Sequence, residues 1–148
     1  MPGCFYLIRH ARAESAAPGG DAGRGLTPEG RDAFRETVAS LAGRLQVKRI
    51  QTSPFLRARQ TGDLLAAITG APLEEEEELA SGAMTGREIL RLGAELGAGA
   101  ALVGHNPEIA QAIALAAGHD ADVPPGTVAA IDLEGRLLWM VGPAKSRR

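Results

Sequence analysis

Two arginines and two histidines stand out for where they fall in the chain. Arg9 and His10 end the apolar run CFYLI, Cys4 to Ile8. Arg57 follows a Thr-Ser-Pro at 52–54, and His105 follows the apolar run AALV, Ala100 to Val103. A guanidinium is a fixed cation whose forked donors match phosphate oxygens. An imidazole can serve near neutral pH as nucleophile, base or donor. Brought together, these groups describe a pocket for a phosphoryl group. Taken singly, each has an ordinary alternative. Arg9 and His10 could be a strand end reaching water, Arg57 a solvent-facing side chain, and His105 a ring that caps a loop.

The elements that must bring them together alternate between two periods. CFYLI is a short continuous apolar run, as a strand buried on both faces requires. Glu14 to Gly25 carries four glycines and no large apolar residue, and reads as a loop. Thr27-Pro28 opens a helix in which Phe34, Val38, Leu41 and Leu45 form one stripe. Arg49 to Thr52 reads as a second strand. Ser53-Pro54 opens a helix with Leu64, Leu65 and Ile68 facing inward. Leu73 to Leu79 is a weak strand or loop with five consecutive glutamates. Thr85 and Glu88 have capping-box spacing ahead of a helix carrying Ile89, Gly93 and Leu96. Ala100 to Val103 is another strand, and Asn106-Pro107 opens a helix with Ile109, Ile113 and Ala117 inward. Thr127 to Leu133 and Arg136 to Val141 form a hairpin turning at Glu134-Gly135, and the basic tail at 144–148 reads as frayed.

Strand–helix alternation predicts a three-layer α/β/α sandwich, with a mostly parallel sheet and a C-terminal hairpin, in one domain over residues 1–148. Thr27-Pro28, Ser53-Pro54 and Asn106-Pro107 each place a side-chain acceptor at an N-cap and proline at the first helical position. Junctions of this kind lie at the carboxyl edge of a parallel sheet, where ligands bind and helix N-termini favour anions. All four residues map to that edge. Arg57 in a first helical turn opposes the helix dipole at a cost of a few tenths to about 1 kcal/mol, which makes sense if an anion sits beside it.

Bulk composition narrows the class. The chain has 148 residues, 45% hydrophobic and 23% charged, with a net charge of -2. A domain of this size buries about two-thirds of its unfolded surface and needs no disulfide or metal to fold. The charge balance gives no reason to expect nucleic acid or a membrane as partner. Cys4 is the only cysteine, which fits a reducing cytoplasm. There is no signal-peptide pattern and no apolar run near the ~20 residues of a membrane span. No Walker loop, dinucleotide fingerprint or serine elbow occurs. The three histidines lack metal-ligand spacing, and arginines beside two of them would repel a cation.

With those residues in view, the sequence resembles the histidine phosphatase superfamily, with its phosphoglycerate-mutase-like fold. LIRHARAES is similar to the family's nucleophile motif, LTPEG to the next segment, TSPFLRARQT to its Ser-Pro-x-x-Arg-Ala-x-Gln-Thr signature, and VGHNP to its second-histidine motif. The motifs keep the family's order over about two-thirds of the chain. The short chain most resembles the SixA-type phosphohistidine phosphatases, because few residues remain to roof the pocket. Two features depart from the family. Ala11 replaces the usual glycine after Arg-His, so this turn should use an ordinary backbone conformation. The acid that mutases carry falls in the glutamate run, where Glu78 aligns best and a solvated acidic edge is the plainer reading.

The resemblance implies an enzyme with His10 as nucleophile, and with Arg9, Arg57 and His105 gripping the phosphoryl oxygens. Asn106 would be an additional binding residue and Glu78 an acid. It implies no cofactor and no metal, since the arginines supply the positive charge. The substrate would be a phosphohistidine-carrying protein or a small phosphorylated metabolite, acted on by a monomer in the cytoplasm. A phosphohistidine suits a site without a clear acid, because imidazole leaves more readily than an alkoxide. The alternatives are a small-molecule phosphomonoesterase of the same superfamily and a non-catalytic phosphate-binding module.

Overall fold

The apolar runs become neighbouring strands of one sheet. The computed structural model describes residues 3–143, so the basic tail at 144–148 lies outside the described residues. The strands are β1 (Cys4–Arg9), β2 (Arg49–Thr52), β3 (Leu73–Glu75), β4 (Ala100–Gly104), β5 (Val128–Asp132) and β6 (Leu137–Val141). Between them run the helices α1 (Pro28–Ser40), α2 (Leu56–Thr69), α3 (Gly86–Leu96) and α4 (Glu108–Ala117). The sheet order is β3-β2-β4-β1-β5-β6. The first four strands are mutually parallel, β5 runs antiparallel to β1, and β6 runs antiparallel to β5. This is the expected three-layer sandwich, with the hairpin forming one side of the sheet.

Alternation along β1 divides the core. Tyr6 and Ile8 face α1 and α2, where they meet Phe34, Val38, Leu41, Ala58 and Leu65. Phe5 and Leu7 face the other layer, where they meet Ile89 of α3 and Ile109 and Ile113 of α4. Covered on both faces, β1 and β4 cannot carry the in–out alternation of a surface sheet, which is why they read as unbroken apolar runs. No helix among the described residues is long and apolar enough to cross a membrane.

Helix ends differ from the sequence reading in specific ways. Thr27 caps α1 as expected, its Oγ1 accepting the Gly30 N–H at 2.9 Å, and the Thr85–Glu88 capping box closes in both directions. Ser53 and Asn106 are not N-caps. α2 starts at Leu56 behind Phe55, because the Ser53 hydroxyl is engaged by His105 and by the Phe55 N–H. α4 starts at Glu108 after a cis Asn106-Pro107 peptide, although Asn106 Oδ1 still accepts the Ala110 N–H. Leu45 lies beyond the end of α1. Ile68 is 50% exposed, and the buried face of α2 is Arg57, Ala58, Thr61, Gly62 and Leu65. Ala112 takes the inward place expected of Ala117. The glutamate run divides into β3 and a single 3-10 turn, Glu77–Leu79.

One glycine explains part of a motif. A Cβ on Gly30, in LTPEG, would collide with the carbonyl oxygen of Arg12. That carbonyl also accepts the Thr27 N–H at 3.0 Å. The start of α1 is thus pressed directly onto the backbone that follows His10.

Candidate active site

Register sets the site's position. Arg9 lies opposite Gly104, while Ile8 and Thr52 both lie opposite Val103. The residues that follow these positions therefore leave the sheet at one height, at its carboxyl edge. The His10 N–H donates to the Gly104 carbonyl at 3.0 Å, and the Ser53 N–H donates to Val103 at 3.0 Å. The His10 and His105 rings then stand 5.2 Å apart, with Phe55 packed 5.0 Å from His105. Arg57, in the first turn of α2, lies 5.1 Å over the Phe55 ring. The charges of Arg57 and Arg9 both act on the two histidines. The structure thus gathers Arg9, His10, Arg57 and His105 at one edge.

His10 is 7% exposed and His105 2%. Burial pushes His10 down to about 4. The hydrogen bond to Ala11 opposes this, and the Arg57, Arg9 and Arg24 charges assist it. Burial, with the His10 ring and the Arg57 charge, pushes His105 down to about 3. Both rings are therefore neutral near pH 7. His10 Nδ1 lies 2.7 Å from the Ala11 carbonyl oxygen. A carbonyl only accepts, so the ring proton is on Nδ1 and the lone pair is on Nε2. The Ala11 backbone is itself fixed: its N–H donates to Thr61 Oγ1 at 2.9 Å, and the Thr61 hydroxyl donates to the Arg57 carbonyl at 2.8 Å. Ala11 has no positive φ, as its side chain requires.

Each arginine is held from one side and open on another. Arg9 donates from one terminal nitrogen to the Val123 carbonyl at 2.9 Å. Arg57 donates to the Asp21 carbonyl at 2.8 Å and to the Asp21 carboxylate at 3.2 Å. Among the described residues, the Nε of both arginines is buried with no hydrogen-bond partner, as is Nδ1 of His105. The two guanidinium Nε–H groups are donors of the kind an anion would satisfy.

The loop from Glu14 to Gly25 supplies two residues that sequence reasoning missed. Asp21 bridges Arg57 and Arg24, the latter through Nε at 2.9 Å. Desolvation works to raise the Asp21 carboxyl; the Arg57 charge and the hydrogen bonds from Arg24 and Arg57 outweigh it and hold it below the usual carboxylate range. The anion that Arg57 needed at the helix N-terminus is thus a carboxylate of the chain itself. Thr61 and Ser53 were missed as well. Thr61 was within reach of the helical rule, being four residues from Arg57 on the same face. Asp21 gave no such signal, since its contact spans 36 positions across an aperiodic loop.

Two expected residues sit differently. Asn106 uses its amide within the fold, donating to the Val123 carbonyl at 3.1 Å while accepting from Ala110. It and Arg9 therefore share one carbonyl. Glu78 is exposed in the 3-10 turn and borders a small depression with Met84, Glu88 and Arg91. Among the described residues, no hydrogen bond or ion pair joins its side chain to the four, and no group of three His, Cys, Asp or Glu could hold a metal. A groove of about 1000 Å3 lies between α3 and α4, bordered by Pro107, Leu115 and His119 but by none of the four.

Comparison with known proteins places this geometry. A structure of the protein histidine phosphatase SixA complexed with tungstate superposes with a TM-score of 0.80 at 24% identity, covering 95% of this chain and 97% of that one. A protein from Agrobacterium tumefaciens, provisionally named phosphohistidine phosphatase SixA, gives 0.81 at 28% identity, covering 97% and 99%. One from Nakamurella multipartitia, named in the same provisional way, gives 0.72 at 27%, covering 97% and 98%. No curated protein matches by sequence. Residues 5–120, which carry every motif quoted above, match the family model described as histidine phosphatase superfamily (branch 1), and the chain belongs to that superfamily.

Proposed function

We propose that the chain is a metal-independent phosphatase that takes a phosphoryl group onto His10 and releases it to water, acting on phosphohistidine carried by another protein. The observation that carries this is the state of His10. Its ring is neutral, its proton is committed to Ala11, and the bare Nε2 stands among cations. Neutrality and a fixed tautomer are what a nitrogen nucleophile needs.

Nε2 attacks phosphorus, the new N–P bond forms as the bond to the leaving group breaks, and the electron pair departs with that group. Arg9, Arg57 and His105 hold the equatorial oxygens, whose charge is redistributed in the transition state. Water then attacks the phosphohistidine, its proton passes to solvent or phosphate, and His10 recovers its lone pair. The arginines supply the positive charge that a metal would otherwise bring.

The substrate class follows from proton supply. Among the described residues no hydrogen bond or ion pair joins the Glu78 side chain to the cluster, and Asp21 is held ionised by Arg57 and Arg24, which suits neither for protonating an alkoxide. An imidazole leaving group takes its proton from solvent readily. The SixA names of the neighbouring structures support the same reading. The test compares turnover on a phosphohistidine-bearing protein with turnover on a panel of phosphate monoesters, with and without EDTA. Efficiency should be highest on the phosphohistidine and indifferent to chelation. A metabolite ester turned over as well or better would overturn the substrate assignment.

A further inference from the structure

Ser53 sits at the end of β2 in the Ser-Pro segment that read as a helix cap. It is fully buried. Its Oγ accepts the Phe55 N–H at 3.1 Å and lies 2.7 Å from Nε2 of His105. A serine hydroxyl has one proton to give and two lone pairs. The Phe55 N–H occupies one lone pair, and water does not reach the group. Two arrangements remain. If His105 carried its proton on Nε2, that N–H would donate to Ser53. The serine proton would then be buried without an acceptor, and the Nδ1 lone pair would be buried without a donor. If Ser53 donates to Nε2, both hydroxyl functions are satisfied and the ring proton lies on Nδ1. The first arrangement leaves two buried groups unpaired and the second leaves one, the Nδ1–H, and because an unpaired buried polar group is costly this favours the second.

We propose that Ser53 is a positioning residue for His105: its hydroxyl donates to Nε2, commits the neutral ring to the Nδ1–H tautomer, and so makes His105 a hydrogen-bond donor to the phosphoryl group rather than a base. Among the described residues, Nδ1 is the ring nitrogen of His105 without a partner, a buried polar atom left for a ligand to satisfy. The two histidines then share a tautomer and use it in opposite ways. His10 spends Nδ1–H on Ala11 and keeps Nε2 free to attack. His105 spends Nε2 on Ser53 and keeps Nδ1–H free to donate. The tautomer stands on the hydrogen bonds alone; its use toward a phosphoryl group rests on the phosphatase reading above.

The test begins with the 15N-labelled full chain at neutral pH without substrate. Ring-nitrogen shifts and couplings are assigned with His10→Ala and His105→Ala. His105 should show a protonated Nδ1 and a bare Nε2, and a protonated Nε2 in the wild type would overturn the proposal whether or not the protein proves to be a phosphatase. Kinetics supply the second arm. Ser53→Ala should lower kcat/KM about 10–100-fold, the range typical of a partner that orients a functional histidine. In a His105→Ala background the same change should cost less than about twofold, because the two act through one contact. Losses that multiply independently would show that Ser53 serves only the local fold, and would overturn the proposal.

Discussion

The site has a strand-borne half and a loop-borne half, and they are built to different tolerances. His10 and His105 follow directly from adjacent parallel strands, are almost fully buried, and are fixed by backbone pairing on either side. Asp21 and Arg24 arrive on the aperiodic loop, with side chains 61% and 23% exposed, and are held by ion pairs. The loop's base is pinned by the Ala13–Leu26 bridge and by the Glu14 N–H donating to Gly25 at 2.8 Å. The proposed attack on phosphorus would tolerate little misplacement, and the groups assigned to it sit on rigid elements. The contacts that the proposed ligand would displace sit on the exposed loop, where yielding costs little.

That contrast can be tested from its strongest point downward. His10→Ala should lower turnover by at least ~10⁴-fold, as loss of a covalent nucleophile does, while inorganic phosphate still binds by calorimetry. Retained turnover would place the nucleophile elsewhere. Arg57→Met should cost about 10²–10³-fold in kcat, the scale of one preorganised donor to a charged transition state. An effect confined to KM would mean that Arg57 only recruits substrate.

The next test is pH. Both histidines have folded pKa values below the unfolded value of about 6.5, at about 4 for His10 and about 3 for His105. The unfolded chain therefore binds more protons in this interval, and folding stability falls as pH drops below about 6.5. The loss should reach a few kcal/mol for the pair by about pH 4, read from urea midpoints. A His10→Gln, His105→Gln double variant should show a flatter profile, and equal slopes would refute the buried-neutral assignment. The smallest effect belongs to the loop. Asp21→Asn should tighten inorganic phosphate binding about two- to fivefold, the scale of an exposed ion pair. Weaker binding in that variant would make Asp21 a supporting residue rather than a competitor.

Legibility in the sequence follows the same division. Arg9, His10 and His105 could be placed because each directly follows a buried apolar run, and parallel strands share one carboxyl edge. Arg57 could be placed because it lies one helical turn beyond such a run. Local grammar failed where a side chain had a distant partner. Ser53 has the composition of a cap, but a histidine 52 positions away takes its hydroxyl. Asn106 looked like a ligand and is used within the fold by Val123 and Ala110. The order of the strands, with β4 inserted between β1 and β2, is likewise a property of long-range pairing that no local pattern contains.

The Asp21 carboxylate on Arg57 also changes what binding means here. On the proposed reading, a phosphoryl group would not enter a bare cationic hole; it would replace the Asp21 carboxylate already on Arg57, and association would be an exchange of counter-ions. One negative charge would leave Arg57 as another arrived. The local field changes less than the count of arginines suggests, and affinity should depend on ionic strength less steeply than in an unoccupied cluster. Selectivity follows as well. A ligand at Arg57 would have to outcompete a carboxylate tethered beside it, which a dianionic phosphoryl group would do better than the abundant monoanions around it.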